Sequence, residues 1–380
     1  MIVEIESRLV IILSWKRGFM YFDYASTSIK RKEILENLID NIDDYNANPS
    51  SIHSPGKKTK SYLNEARNKL ADEINTDASK IYFTSGATEA NNWLVKNFDD
   101  ESIEIISSNI EHKSILESLN SVKSKIKYIK ADKKGRVSLD QVKAAITDKT
   151  KLLILMLVNN ETGIIQPVKE IGQYLKDKDI WFHVDGVQAL GHLDIDVEDM
   201  CIDSLALSGH KIGGLNGFGV LYTRERLKPL INGGGQESGI RAGSSNTLAA
   251  LSMAYSLDSL RGEREKILEL KEYFLENLKD IDHEINGDVE NSVNHIVNIY
   301  FPFVKSDLLL TYLDLKGIYI SAGSACNANA LEPSYVIENI YDKERAKHSV
   351  RFSFGFTNTK DEIDQRIYWL NEMYKKKKKD

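Results

Sequence analysis

Lys211 stands in the run Ser208-Gly209-His210-Lys211, followed by Gly213-Gly214, a setting that suits a reactive amine. Lysines are seldom buried without a partner. Burial disfavours the ammonium and leaves a neutral amine able to form a Schiff base. Taken alone, such a residue is more often an exposed loop lysine. Asp185 upstream, with Gln188 three residues on, shifts the balance. A carboxylate can hold a pyridinium nitrogen protonated, which is what pyridoxal phosphate asks of its protein. Such a pair at ~4 Å is worth about 4 kcal/mol at an effective dielectric near 20, before desolvation. A second reactive group is Cys326, in Ser321-Ala322-Gly323-Ser324-Ala325-Cys326-Asn327-Ala328-Asn329-Ala330. These small residues offer nothing to anchor a core, as expected of a solvent-reachable loop. A thiol of pKa about 8.5 is only a few per cent thiolate at neutral pH. It needs a proton acceptor, and His112 is a candidate.

Several strands must deliver these groups to one place. Short β-branched or apolar runs at 81–84, 103–106, 126–129, 151–158, 181–184, 204–207 and 220–223 alternate with helical patterns, including one from about Ala87 and one over 168–176. The alternation predicts an α/β fold with a mostly parallel seven-stranded sheet covered by helices. The nearly unbroken apolar run KLLILMLV at 151–158 suits a strand buried on both faces. Ligands of such sheets sit in loops at the carboxyl edge, where Asp185 and 208–211 follow their strands. The segment 85–89 (SGATE) follows another strand and opens a helix whose first N–H groups can cradle an anion, although Gly and Thr also serve as ordinary caps. After about Leu257 the pattern changes. A long charged helix over 260–278, strands at 296–301 and 318–321, and an amphipathic helix over 360–374 predict a smaller α+β unit of 258–380. Residues 1–29, with a strand around Tyr21, join it, and 30–257 form the large domain.

Composition narrows the classes. A chain of 380 residues, 42% hydrophobic and 28% charged, suffices for these two units. A net charge of -6 leaves no basic footprint for nucleic acid. Two cysteines predict no disulfide framework and a reducing, cytoplasmic setting. The apolar run Leu9 to Leu13 is too short to span a bilayer. Residues 1–19 read as an appendage ahead of a domain starting at Met20, without the cleavage site of a signal peptide. Lys375 to Lys379 read as a solvated, disordered tail. Cys201 is expected to be a buried, inert thiol. His53 and His348 read as structural, and no His/Cys set has zinc spacing, so no metal is expected.

The order and spacing of further motifs resemble the cysteine desulfurases, fold type I pyridoxal-phosphate enzymes of the class V aminotransferase family. The likeness runs from about Met20 to Asp364 and includes MYFDYAS at 20–26, NPSSIHSPG at 48–56, TSGATEANN at 84–92, EHKS at 111–114 and VNNETGIIQP at 158–167. It continues through HVDGVQ at 183–188, SGHK at 208–211, GGGQESGIRAGSSN at 233–246, SAGSACNANALEPSYV at 321–336 and SVRFSFG at 349–355. The resemblance implies that Lys211 bears the cofactor, Asp185 pairs with its ring nitrogen and Gln188 with its ring hydroxyl. His112 would stack on the ring and move protons, and Asn160 would lie near the ring hydroxyl and the substrate. Ala87, Thr88, Ser208 and His210 would hold the phosphate, with Ser244 reaching the phosphate of a partner subunit in a homodimer. Arg351 would clamp the substrate carboxylate, a bidentate role that suits Arg.

By the same resemblance, Cys326 would take sulfur from L-cysteine as a persulfide, release L-alanine, and pass the sulfur to an acceptor protein of iron–sulfur assembly or tRNA thiolation. A selenocysteine lyase or another enzyme of the class V aminotransferase type is the near alternative. A non-catalytic scaffold subunit is the alternative from another class. Tyr24, Ser26, Ser238, Ser244 and Phe356 stand where many relatives carry Asn, Ala, Arg, Thr and Arg. Ser238 puts the charge contacts of its loop in doubt.

Overall fold

The structure is a computed structural model and describes residues 19–323 and 333–378. In chain order its strands are β1 (Met20–Tyr21), β2 (Ile81–Thr84), β3 (Glu104–Ser108), β4 (Lys125–Ile129), β5 (Thr150–Met156), β6 (Trp181–Asp185), β7 (Ser204–Ser208), β8 (Gly219–Thr223), β9 (Glu284–Ile285), β10 (Ile296–Tyr300), β11 (Ile318–Tyr319) and β12 (Ser349–Ser353). The helices are α1 (Lys32–Asp40), α2 (Ser54–Glu73), α3 (Ala87–Asn97), α4 (Lys113–Leu119), α5 (Leu139–Ala145), α6 (Val168–Leu175), α7 (Thr247–Arg261), α8 (Arg264–Asn277), α9 (Ser306–Asp314), α10 (Tyr335–Ile340), α11 (Lys343–Ala346) and α12 (Lys360–Lys377).

Seven strands form one sheet in the order β2-β8-β7-β6-β5-β3-β4. Six run parallel, and β8 is inserted antiparallel between β2 and β7. The expected mostly parallel seven-stranded sheet is therefore present. Its apolar runs follow from the pleat, since successive strand residues face opposite sides. In β5, Leu152 and Ile154 pack with Trp93 and Leu94 of α3, whereas Leu153 and Leu155 join the core that holds Ile171 of α6 and Met253 of α7. Fully burying one such side chain is worth roughly 1.5–3 kcal/mol.

A second sheet, β12-β10-β9, is antiparallel. β1 pairs in parallel with β11, and Asp23 bridges to Ser353. The N-terminal strand is thus bound to the last third of the chain. No helix among the described residues is long and apolar enough to cross a membrane.

Three expectations are corrected. The single helix over 260–278 is two helices, because Gly262 caps α7 and α8 starts two residues later. The break frees Glu263, whose carboxylate accepts from both terminal nitrogens of buried Arg31 at 2.8 Å. Cys201 is half-buried, not buried. It turns the chain with φ 51°, before the start of β7 and so at the edge opposite the strands' carboxyl ends. Lys375 to Lys377 form the last turn of α12 instead of a disordered tail, where positive charge complements the helix dipole. Residues 1–18 and Lys379 lie outside the described part.

Arg366 of α12 is fully buried against the rings of Phe22, Phe274, Phe352 and Phe354, and its three nitrogens have no hydrogen-bond partner. A desolvated cation–π contact gives about 2 kcal/mol, less than the several kcal/mol lost in taking a charge out of water. Arg366→Met is therefore expected to raise the calorimetric melting midpoint by a few degrees. A fall of similar size would show that the guanidinium stabilises the fold.

Candidate active site

Five parallel strands end along one edge and hand the chain to loops around a cavity of about 320 Å³. After β2 come 85–89, after β3 His112, after β5 Val158 and Asn160, and after β7 His210 and Lys211; Asp185 is the last residue of β6. Ala25, Ser26 and Arg351 close the cavity from the N-terminal segment and β12. It brings together Ala87, Thr88, His112, Asn160, Asp185, Gln188, Ser208, His210, Lys211 and Arg351. Ser244 is exposed and does not line it. Cys326 belongs to 324–332, outside the described residues.

Lys211 is only part-buried, in a polar grip, where burial was expected. Its Nζ donates to the carbonyls of Ala25 and Ser26, each at 2.7 Å. Asp185 is 5% exposed. Its Oδ1 accepts from Val187 N at 3.1 Å and its Oδ2 from Asn91 Nδ2 at 3.0 Å, satisfying a carboxylate that burial strips of water. Gln188 donates from Nε2 to Ala25 O at 2.9 Å, and its Oε1 meets His295 Nε2 at 3.3 Å. His112 caps α4 by accepting from Ser114 N at 3.2 Å on Nδ1. Burial pushes His210 down to about 3, helped by the charges of Lys211 and Lys30, so it is neutral near pH 7.

Arg351 is already engaged. Its Nη1 donates to Asn160 O at 2.7 Å, and Nη2 donates to Asp23 Oδ1 at 2.8 Å and Ser26 Oγ at 2.6 Å, while Nε has no partner. A substrate carboxylate would share this fork with Asp23. Ser238 adopts φ 57° and offers only its carbonyl, to Arg226. The charges around it are satisfied without an arginine there, through two-point pairs of Arg67 with Glu237 and Arg241 with Glu89. His53 caps α2 and His348 packs beside Tyr300, both structural settings.

Sequence reasoning gave no role to Asn91, Ser114, His183, Glu111 or Ser26. Some signals were present. His183 lies two residues before Asp185 and so shares its face of β6, and Asn91 lies one helical turn past Ala87. Nothing in the sequence marks Ser114 or the two carbonyls that hold Lys211.

The donor set fits pyridoxal phosphate. It offers a carboxylate for the ring nitrogen, an amine, and the N-terminus of α3 for the phosphate. Asn160 Oδ1 is buried without a partner. A Cβ at Gly86 or Gly217, both lining the cavity, would meet no atom within 4 Å. Among the described residues no cluster of three His, Cys, Asp or Glu could hold a metal.

Comparison with known proteins identifies the family. The pattern of the family described as Aminotransferase class-V matches residues 20–365. The chain is 38% identical over 379 residues to the cysteine desulfurase IscS of Methanosarcina thermophila, covering 96% of this chain and 94% of that protein. It is 37% identical over 377 residues to the cysteine desulfurase IscS of Clostridium botulinum strain Hall, covering 94% and 95%. A solved structure described as a NifS-like protein superposes with a TM-score of 0.87 at 29% identity, covering 93% of this chain and 99% of that one.

Beside His112, Glu111 is fully buried. Its Oε1 accepts from Ser108 Oγ at 2.5 Å and Met156 N at 3.0 Å, and Oε2 has no partner. Burial pushes its pKa from 4.5 up to about 8. Between those values the folded chain holds a proton that the unfolded chain has lost, so stability falls as pH rises through that window. Each tenfold gain in proton affinity is equivalent to about 1.4 kcal/mol, so the penalty reaches a few kcal/mol by about pH 8. Glu111→Gln is expected to gain on the wild type in melting midpoint steadily from about pH 5 to about pH 8. A pH-independent difference would mean that Glu111 is ionised in the fold.

Proposed function

The chain belongs to the class V aminotransferase family, among its cysteine desulfurases, and is a pyridoxal-phosphate enzyme; on that footing we propose that it moves sulfur from L-cysteine to its own Cys326. The observation that carries this reading is the meeting of Lys211, Asp185, His112 and Arg351 in one cavity. The chain on either side of 324–332 supports it. Ser321 bridges to Arg351, and Ser334 donates to Glu161, the neighbour of Asn160. Three residues of chain span at most about 11 Å, which bounds the reach of Cys326 from Gly323.

Bound in this cavity, pyridoxal phosphate supplies an electron sink for charge developing at the substrate α-carbon. Lys211 would hold it, and then take and return the α-proton on Nζ, aimed by the Ala25 and Ser26 carbonyls. Asp185 would face the ring nitrogen, with Gln188 and Asn160 near the ring hydroxyl. Thr88, Ser208, His210 and the N–H groups from Ala87 would hold the phosphate. Arg351 would take the substrate carboxylate, using the otherwise unpartnered Nε. The Cys326 thiolate would then attack the substrate sulfur. An S–S bond forms, the substrate C–S bond breaks, and its carbon gains a proton and leaves as L-alanine.

The same reading includes a homodimer. Ser244 is exposed in a loop stiffened by the Arg241–Glu89 pair, which suits a reach toward a partner's phosphate. The persulfide would pass to a protein of iron–sulfur assembly or tRNA thiolation in the cytoplasm. On the two-unit division expected from the sequence, 30–257 against 1–29 with 258–380, the Cys326 segment would belong to the smaller unit.

Borohydride reduction and peptide mapping should place the cofactor on Lys211, and Lys211→Ala should lose the reducible link; an adduct on another lysine would overturn the assignment. Cys326→Ser should keep the cofactor spectrum while alanine release from L-cysteine collapses, since a hydroxyl cannot accept sulfane sulfur. Cys201→Ser should turn over normally. Wild-type alanine release by the Cys326 variant, or a sulfur adduct found by mass spectrometry on Cys201, would refute the persulfide route.

A further inference from the structure

Hydrogen bonds connect Trp181, at the start of β6, with His112 on the cavity. Trp181 Nε1 donates to Ser204 Oγ at 2.8 Å, and Ser204 Oγ meets His183 Nδ1 at 2.8 Å. His183 Nε2 meets Asn91 Oδ1 at 3.0 Å. Asn91 Nδ2 donates to Asp185 Oδ2 at 3.0 Å and to Ser114 Oγ at 2.8 Å. Ser114 Oγ in turn meets His112 Nδ1 at 2.9 Å. Asn91, His183 and Ser204 are completely buried.

The Asp185 end of this chain determines where its hydrogens lie. An indole N–H only donates, so Ser204 accepts from Trp181 and keeps its own hydrogen available for His183 Nδ1. Burial drives the His183 pKa down to about 3, so the ring is neutral and carries a single hydrogen. Approached from the other side, an ionised carboxylate only accepts, so the Asn91 group facing Asp185 is the NH2. Flipping the amide would press its oxygen against Asp185, so Oδ1 faces His183, which then carries its hydrogen on Nε2 and takes the Ser204 hydrogen on Nδ1. The Trp181 end accommodates this orientation. The second Asn91 hydrogen goes to Ser114 Oγ, which leaves the Ser114 hydroxyl hydrogen for His112 Nδ1. That nitrogen also accepts the Ser114 main-chain N–H, so it carries no hydrogen itself.

We infer that Asn91 is a positioning residue for two groups at once: one amide hydrogen orders Asp185, and the other, through Ser114, orders His112 as the tautomer protonated on Nε2. Asp185 sets the orientation of Asn91, and His183, Ser204 and Trp181 accommodate it. The inference rests on this cavity being the cofactor site and is independent of which amino acid is the substrate. It changes the part given to His112. Neutral His112 carries an N–H donor on the nitrogen turned away from Ser114, and Nδ1 takes up a proton only by giving up the bond from the Ser114 main chain and reversing the one with Ser114 Oγ. His112 in this form is therefore suited to donate a hydrogen bond from Nε2 into the cavity, and poorly suited to deprotonate the Cys326 thiol.

The test uses holoenzyme labelled with 15N-histidine, with His112→Gln and His183→Gln assigning the ring signals. Wild-type His112 and His183 are both expected to show protonated Nε2 and bare Nδ1 near neutral pH. Asn91→Leu should shift the His112 Nδ1 resonance and also move the pH midpoint of the cofactor absorption, because Asp185 loses a donor. Ser114→Ala should shift the His112 resonance and leave the absorption midpoint in place. A hydrogen on Nδ1 of either wild-type histidine, or an Asn91→Leu protein unchanged in both readouts, would overturn the inference. If Asn91→Leu does not fold, the wild-type tautomers and Ser114→Ala decide the matter. Failure to turn over L-cysteine with these signals as expected would count against the proposed substrate and leave the network intact.

Discussion

A buried anion at the end of β6 sets the terms for the surrounding structure. Asp185 must stay in place with almost no water, so its donors have to be protein groups. One is the N–H of Val187 in the loop it opens, and the other is Asn91 on α3. The second choice ties the carboxylate to a helix whose first turn lies one turn away and faces the same cavity. A single helix thus steadies negative charge at one end of the site and offers its positive end to the other. Once α3 is fixed by Asp185, the place for an anionic ligand group is fixed with it.

The short segment after β1 performs the corresponding task on the opposite wall. Ala25 O accepts from both Gln188 and Lys211, Ser26 O accepts from Lys211, and Ser26 Oγ accepts from Arg351. Asp23 completes the set by pairing with Arg351. Three residues of this short segment therefore orient an amine, an amide and a guanidinium, the first two through main-chain oxygens. The fit is tight. A Cβ on Gly355 would come within 2.1 Å of the Tyr24 ring, so the position beside this segment admits only glycine.

Much of the fold was legible because β-strand length and apolar runs are local properties. β2 appeared with the same ends in sequence and structure, and β5, β6 and β7 within one or two residues. The broken helix at Gly262 was not legible, since charge-rich periodicity continues across it and only the distant Arg31 gives Glu263 its partner. At the site, side-chain chemistry announced Lys211 and Asp185, but carbonyl oxygens have no letter in the sequence. The grip on Lys211 and the engagement of Arg351 with Asp23 depend on segments far apart in the chain that meet only in three dimensions.

The antiparallel strand β8 has a consequence for synthesis. β2 pairs with no strand other than β8, although it is the first strand of the large sheet made by the ribosome and β8 is the last. β2, which leads into the helix α3 that carries Thr88, therefore has no sheet neighbour until Thr223 has emerged from the exit tunnel. The acceptors of Lys211 wait longer still, because β1 pairs with β11 and Asp23 bridges to Ser353. Closing contacts of such long sequence separation come late and slowly in folding. A nascent chain holding its complete large sheet still lacks one wall of the cavity, which closes only once β11 and β12 have been made.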